Sequence, residues 1–570
     1  VQNESVLVAV VAEGAGGWLR EVDPAGAPAG PPRRVADLAT AIAEREAADA
    51  PRWIWSSTTE IYPWLLRAGV RVARCHDLEL TEALLLGHAG RWGEPRSLAA
   101  AHARLIGAPV PADPRPRMAQ PPGFAQGALF EAGGVAGGGA GTGGAGADET
   151  PPSAVIAVHA DQVARIAGTA HPGRFRLLVA SESAGALIAV EMGHAGLPWR
   201  ADIHDDLLRE LLGPPQPVGP PKRLAELSAQ VNAAFGTHGL HPDSPAEVLR
   251  AFARAGIDVP NTRAWVLRRV DHPAVPPLLE FKELYRIWTA HGRAWREAWV
   301  SGGRFRPEYV PGGVVSGRWA TRGGGALQVP KVVRRAVVAD PGWRFVVADA
   351  GQLEPRVLAA VSGDARLAAA GGAGDLYAAL AADSFGGDRA TAKVALLGAM
   401  YGQTGGNAVP ALAVLRQRYP TAFAYVESAA RTGEAGGLVR SWLGRTCPPP
   451  ATAGRQAGLE PAEESGPADS RGGASGRARG RFTRNFVIQA TAAEWALVLL
   501  ATLRTALVGM RAELVLFVHD EVGVHCPVQE AERVAAAVRT GAARAGEMMF
   551  GDTAVRFPLD VSIVECYADA

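Results

Sequence analysis

Between Trp343 and Asp364 an apolar run ends on an acid and turns at once into a helical pattern. Phe345–Ala348 is a short apolar run that reads as a buried strand. The run ends on Asp349, and Leu353, Val357, Leu358 and Val361 then share one helical face. A chain with this stretch must build a sheet whose edge carries a carboxylate. An aspartate where a buried strand gives way to a helix is well placed to hold a metal. Taken alone it is equally a solvated loop acid.

Two later stretches bear on that choice. Leu514–Cys526 is an apolar strand, a polar tip and an alternating strand, with His519-Asp520-Glu521 at the tip. A two-residue hairpin turn favours Asn-Gly or Asp-Gly, so His-Asp-Glu is a poor choice for turn geometry alone. Two aspartates on different strands of one sheet could hold two divalent cations about 4 Å apart, activating an attacking oxygen and stabilising a leaving one. Oxygen ligands imply Mg²⁺, with Mn²⁺ as a substitute, rather than zinc. The alternative is that Asp349 and Asp520 never meet.

Arg389, Lys393, Leu397 and Tyr401 recur every four residues. On a helix such positions drift by only about 40° per step and form one slanting stripe. It runs from cationic to apolar to aromatic, which suits a nucleoside triphosphate laid along it. An amphipathic helix with two solvated cations is the other reading. The basic residues are 54 arginines and only four lysines, Lys222, Lys282, Lys331 and Lys393. In so arginine-biased a chain a retained lysine points to a task for a compact ammonium.

The remaining sequence sets limits. Net charge is +1, so any basic surface must be local. Cys75, Cys447, Cys526 and Cys566 are far apart, which excludes a zinc ribbon or a disulfide scaffold. Val6–Val11 is too short for a signal peptide, and Trp495–Val508 is broken by Arg504, so no membrane segment is expected.

Residues 1–130 have α/β texture, with strands at Val6–Val11 and Trp53–Trp55 and helices at Ala36–Ala47 and Leu78–Leu86. A Gly-rich insert over 131–152 follows, then more α/β pattern with a strand at Phe175–Ala180. Residues 222–300 read as all-helical, with no strand before Tyr309. Strands and turns cover 301–364, and helices 373–446. Residues 449–480 read as a second disordered insert, with Arg477, Arg479, Arg481 and Arg484 at and just beyond its end. A helix over 485–509, the hairpin, a helix at Glu530–Met549 and a strand at Phe557–Val564 close the chain.

The three stretches, in this order, resemble the polymerase motifs of the family A (Pol I-like) DNA polymerases. Asp349-Ala-Gly-Gln-Leu-Glu-Pro-Arg356 resembles D-Y-S-Q-I-E-L-R, Arg389 to Gly402 resembles R-x-x-x-K-x-x-x-[FY]-x-x-x-Y-G, and His519-Asp-Glu521 is the family's H-D-E. Ser316-Gly-Arg318 with Leu327-Gln-Val-Pro330, Arg418-Tyr-Pro420, and Arg481-x-x-x-Asn485-x-x-x-Gln489 match further family patterns. Ala350-Gly351 replace Tyr-Ser, Pro355 an aliphatic residue, Leu397 an aromatic one and Ala490 a glycine.

The resemblance implies an α/β (α+β multidomain) chain, an RNase H-like exonuclease-like domain followed by a thumb–palm–fingers right hand. It divides the chain into 1–195, a helical thumb over 196–310, a palm from 311–372 and 486–570, and fingers over 373–485. Asp349 and Asp520, with the carbonyl of Ala350, are implied metal ligands, supported by Glu521. Arg389, Lys393, Leu397, Tyr401, Glu354 and Gln352 would meet the nucleotide, with Lys393 also catalytic and Glu354 filling the place of a ribose 2′-hydroxyl. Arg318, Gln328, Arg481, Asn485, Gln489 and His519 would feel the minor groove of primer–template DNA. The expected activity is DNA-templated addition of dNTPs by a cytoplasmic, nucleoid-associated monomer.

A nuclease of this family needs D-x-E after its first strand. Here Ala12-Glu13-Gly14 stands there, and Ser57 to Tyr62 offers only Glu60. Gly69–Leu84 and His159-Ala-Asp161 resemble later parts of that domain, which is expected to be a structural remnant; there is no room for a 5′ nuclease. The alternatives are a bifunctional exonuclease/polymerase, in which Asp77 and Asp161 would matter, and a catalytically decayed DNA-binding scaffold.

Overall fold

A computed structural model describes residues 6–23, 26–114, 152–214, 216, 218–402, 408–449 and 472–570. The Gly-rich insert lies outside the described residues except for Pro152, as does 450–471 of the second insert.

The N-terminal lobe runs β1 (Leu7–Glu13), β2 (Gly16–Val22), β3 (Pro28–Val35), α1 (Leu38–Asp49), β4 (Arg52–Trp55), α2 (Thr58–Arg67), β5 (Arg74–Asp77), α3 (Leu78–His88) and α4 (Leu98–Ile106). Then come α5 (Pro152–Ala167) and α6 (Pro172–Ala195). Its sheet has the order β3-β2-β1-β4-β5. Three antiparallel strands adjoin two that run parallel to β1, and α1 and α2 supply the crossovers that parallel pairing requires. This is the arrangement expected of an RNase H-like sheet.

The strand expected at Phe175–Ala180 is instead part of α6, whose 24 residues bury Phe175, Leu178, Leu187, Ile188 and Met192. A helix covered on nearly all sides has no apolar stripe to reveal its period, so a short run from it looks like a buried strand. The lobe and the rest of the protein share this helix, which packs on α2, α3 and β5 as well as on the second half of the chain.

Next come β6 (Leu197–Pro198), α7 (Ala201–Leu212), α8 (Lys222–Ala234), α9 (Pro245–Arg254), α10 (Ala264–Leu267), α11 (Val275–His291) and α12 (Arg293–Trp299). Val231, Val248, Phe252, Leu267 and Leu278 give these helices a small core of their own. Two short strands, β7 (Val300–Ser301) and β8 (Arg304–Phe305), precede Tyr309, contrary to expectation. They add to β6 as a three-stranded patch too brief to show alternation.

The second half contains β9 (Glu308–Val310), β10 (Ala320–Arg322), β11 (Trp343–Ala350), α13 (Leu353–Val361), α14 (Ala365–Gly371), α15 (Leu376–Ser384), α16 (Arg389–Tyr401), α17 (Ala408–Arg418) and α18 (Pro420–Glu434). It ends with α19 (Gly472–Ala506), β12 (Glu513–Val518), β13 (Glu521–Pro527), α20 (Ala531–Phe550) and β14 (Leu559–Val564). One antiparallel sheet, ordered β12-β13-β11-β14, supports the acids. Asp349 belongs to β11 itself rather than to the turn after it.

α19 begins well before 485, so 472–480 belong to a helix and not to a disordered insert. Glycine weakens a free helix, but at Gly480 close packing requires it. A Cβ on Gly480 would strike Glu434 of α18, and one on Gly433 would strike Thr483 of α19. Among the described residues α19 is the one helix long and apolar enough to cross a membrane, and 83% of its apolar window is buried inside the protein.

Candidate active site

Strand pairing brings the acids together. In the register of the four-stranded sheet, Asp349 on β11 lies opposite Glu521 on β13 and opposite Asp560 on β14. Residues directly opposite each other project from the same face, so three carboxylates line up across three strands. The hairpin tip adds Asp520. Its carbonyl accepts the Ala350 N–H at 3.0 Å, which fastens the tip beside the end of β11. The tip closes through a 2.7 Å bond from the Asp520 N–H to the Val518 carbonyl, with His519 between them at φ +59°. A γ-turn with positive φ is the rarer and more strained form, particularly for a residue other than glycine.

The acids repel one another. Burial raises the Asp520 carboxyl to about 6, with the charge of Asp349 as the next cause. Asp349 is likewise raised, by burial and then by Glu521 and Asp560. Glu521 is partly neutralised: Tyr567 donates to it at 2.9 Å and Arg334 stands 3.9 Å away. Asp349 and Asp520 together present only hard oxygen donors under mutual repulsion, a donor set that fits Mg²⁺ or Mn²⁺. Among the described residues no group of three or more His, Cys, Asp or Glu side chains is close enough to hold an ion unaided. The donor set is therefore two aspartates, with backbone or ligand oxygens needed to complete it.

Beside the acids runs α16, which starts at Arg389 and ends at Tyr401. Asp388 caps its first turn, and Gly402 ends it at φ +69°. Ala392, Ala395, Leu396, Ala399 and Met400 are buried, while Arg389, Lys393 and Tyr401 are exposed and Leu397 is half-buried. The four-residue stripe is thus the open face of the helix. Arg389 and Lys393 both stand over the Tyr377 ring, 5.6 Å and 6.0 Å from its centroid. Arg389 also pairs with Asp375 at 2.7 Å. Burial works to raise Asp375, but hydrogen bonds from Arg389, Ala378 and Gln352 hold it down to about 2.

Gln352 precedes α13 at φ +61°, donates to Asp375 at 2.8 Å and accepts from Leu376 N–H at 2.9 Å. The start of α13 is thereby bolted to the start of α15. Glu354, in the first turn of α13, accepts from Arg318 at 2.7 Å and from the Tyr401 hydroxyl at 2.6 Å.

Arg481, Asn485 and Gln489 follow one another at four-residue spacing on α19, and Arg481 lies against Gly402 at the end of α16. Gln328 is exposed at the end of a short 3₁₀ turn, Ala326–Gln328, which rests against β12. Burial, and then the charge of Arg318, pushes His519 down to about 4, so its ring is neutral at physiological pH. The His519 Nδ1 and the Asn485 Oδ1 are buried without a hydrogen-bond partner. Groups of this kind cost stability unless something else satisfies them.

Asp560, Asp375 and Tyr377 were not picked out by the sequence reading, nor was Arg356. That guanidinium is 1% exposed and donates to the carbonyls of Gly351, Gly371, Ala373, Gly374 and Arg556, locking the loop after β11. Asp560 sits in an alternating strand that offered a clue only once its partner strand was known.

The N-terminal candidates behave differently. Asp77 is 1% exposed and accepts from the N–H groups of Thr58 and Leu80 at 2.7 Å and 2.9 Å, so it caps α3 and ties it to α2. Asp161 pairs with Arg165 at 3.1 Å. His159 is buried edge-on against His76. Glu13 takes the Trp18 indole N–H at 3.2 Å. The recess at the ends of β1 and β4 is lined by Val10, Val11, Ala12, Ser56 and Trp64, and among the described residues Glu60 is the one acid that lines it.

The family described as DNA polymerase family A matches residues 221–567. A DNA polymerase I from Chloroflexus aurantiacus is 31% identical over 42% of this chain and 26% of that protein. A thermostable DNA polymerase I from Thermus thermophilus is 28% identical over 53% of this chain and 37% of that protein. The match thus spans well under half the length of these relatives. Among solved structures, the POL domain of Pol1 from M. smegmatis, in complex with DNA primer-template and dNTP, aligns with TM-score 0.64. The alignment has 19% identity and covers 100% of this chain and 96% of that one, a likeness of fold.

Proposed function

The chain belongs to DNA polymerase family A, and from that premise we propose that it is a DNA-templated DNA polymerase. One observation carries the reading: Asp349 and Asp520, distant in sequence, are fastened side by side through the Ala350–Asp520 backbone bond. The open stripe of α16 beside them supports it further.

In this reading the 3′-oxygen of a primer attacks the α-phosphorus of a dNTP, and pyrophosphate leaves. Asp349, Asp520 and the carbonyl of Ala350 would hold divalent cations, Mg²⁺ by preference. Such ions, when bound, make the attacking hydroxyl more acidic and offset charge on the leaving group. Arg389 and Lys393 bind the triphosphate, pre-aligned over Tyr377. Leu397 and Tyr401 contact the base, and Gln352 keeps the loop beneath them in place. Glu354 walls off the 2′ position of the sugar. Glu521, itself held by Tyr567, keeps β13 in register beside Asp349. His519, Asn485, Gln489, Arg481, Gln328 and Arg318 face the minor groove of the duplex. The protein contributes positioning and charge stabilisation rather than covalent chemistry.

The four-stranded sheet is then part of the palm, α15–α18 belong to the fingers and α7–α12 to the thumb, which grips duplex by its phosphates. In this reading the protein works as a monomer in the cytoplasm on nucleoid DNA. The N-terminal lobe serves as a brace without 3′–5′ nuclease action: Asp77 is buried as the cap of α3 and Asp161 is paired with Arg165 on its own helix.

Extension of a primed template with dNTPs and Mg²⁺ tests this. Wild type extends the primer, and Asp349→Ala and Asp520→Ala each abolish extension while duplex binding persists. Vigorous extension by either variant overturns the assignment. In the lane without nucleotides, shortening of the primer would overturn the brace.

A further inference from the structure

We infer that Arg318 determines sugar selectivity, as a positioning residue that acts through Glu354. The inference rests on the polymerase reading above and deepens it. Glu354 is a carboxylate with both oxygens engaged. Oε1 accepts from Arg318 at 2.7 Å, and Oε2 accepts from Tyr401 at 2.6 Å. The three residues come from three elements: the loop before β10, the first turn of α13 and the last residue of α16. Glu354 and Arg318 are mostly covered, with side chains 13% and 23% exposed.

A wall excludes a hydroxyl group only if it cannot swing aside. A glutamate has three rotatable bonds, and a single hydrogen bond from Tyr401 leaves it free to pivot. The second bond, from a charged donor, removes that freedom and is the stronger of the two.

Arg318 is itself well anchored. Its carbonyl accepts from Val314 N–H at 3.1 Å, and Gly317 N–H donates to Val314 at 2.8 Å, making a tight turn. Gly317 sits at φ +86°, where a Cβ would strike the Arg445 guanidinium. Arg445 is in turn paired with the buried Glu182 of α6. The wall is therefore backed by a chain of contacts reaching the helix shared with the N-terminal lobe.

The test is the ratio of kcat/KM for a dNTP to that for the matching rNTP, on one primed duplex. Arg318→Met lowers this ratio by about tenfold, the worth of one charge-assisted hydrogen bond. Arg318→Lys, which keeps the charge without the planar fork, falls between. Glu354→Ala lowers the ratio by itself, and adding Arg318→Met to it lowers overall extension but leaves the ratio where it was. A role for Arg318 confined to duplex binding would reduce both substrates equally. An unchanged ratio in Arg318→Met, or an equal further drop in the Glu354→Ala background, overturns the inference. Should Arg318→Met extend too little to measure, an unchanged ratio in Arg318→Lys does the same. Failure of wild type to extend with either substrate instead removes the polymerase reading, and this inference with it.

Discussion

Asp520 combines the two stresses that mark a working residue, a strained turn beside it and a charge it does not want. Of the three described residues other than glycine at positive φ, Gln352 and His519 both border the site. Strain of this sort persists only where surrounding contacts enforce it, and here the Ala350–Asp520 bond and the Gln352 hydrogen bonds do so. The raised carboxyls give a pH signature. Asp520 is pushed up to about 6, and Asp349 is raised as well. Cation binding needs both ionised, so activity is full above the raised values and falls as pH drops through about 6. Protons and cations compete for the same oxygens. We expect the acid limb of the pH–rate profile for primer extension to have its midpoint near 6, and to move to lower pH as Mg²⁺ is raised. An acid limb near 4 that ignores Mg²⁺ would show that neither aspartate is a ligand.

At the scale of elements, α19 carries more of the design than any other segment. It presents Arg481, Asn485 and Gln489 at one end and a buried acid, Glu494, in its middle. Glu494 is wholly buried, accepts from Leu443 N–H at 3.1 Å and from Ser441, and is raised to about 7 by burial. An acid with a folded pKa above its unfolded one binds its proton more tightly when folded. Its full contribution to stability is therefore present below about 4.5 and declines as pH rises through about 7. A shift of that size corresponds to roughly 3 kcal/mol. Glu494→Gln, which keeps a donor and an acceptor, should flatten the fall in thermal midpoint between pH 5 and 8 and raise the midpoint at pH 8. Identical pH profiles for the two proteins would refute this. Such elements also show where sequence is legible. The strands β11 and β12 could be read as short apolar runs that end beside acids, β13 by its alternation, and the stripe of α16 because four-residue spacing survives when one face is open. The strand-like run in α6 misled because full burial erases its period, and Gly480 misled because a close helix–helix approach, not a loop, requires it. Asp349 and Asp520 stood out in the sequence as acids next to apolar runs. Asp560, Asp375 and Tyr377 did not, because only non-local pairing brings them to the site.

At the scale of the molecule, the N-terminal lobe is held to the core by buried charge as well as by apolar contact. Arg504, near the end of α19, donates to Glu191 of α6 at 2.7 Å and 3.0 Å and to the carbonyls of Val72 and Ala73 in the lobe. Tyr62 of α2 donates to the same Glu191. The side chains of Arg504 and Glu191 are 16% and 8% exposed. A buried ion pair of this kind is weak evidence of net stabilisation, because both ions have lost their water. Its severance is another matter, since a lone buried carboxylate costs about 3–5 kcal/mol. Arg504→Met should therefore lower the denaturant midpoint and expose the lobe to limited proteolysis, at its junction with α6. Adding Glu191→Gln removes the stranded charge, so the double variant should be more stable than Arg504→Met alone. If the two changes instead add, the pair is not coupled, and the lobe is held by its apolar contacts alone. If Arg504→Met lowers neither midpoint nor protease resistance, the lobe does not depend on this bridge. Because α6 also carries Glu182, the partner of Arg445 beneath the Arg318 turn, loosening the lobe should reach the catalytic face: Arg504→Met should lose dNTP selectivity over rNTP before it loses the ability to extend a primer.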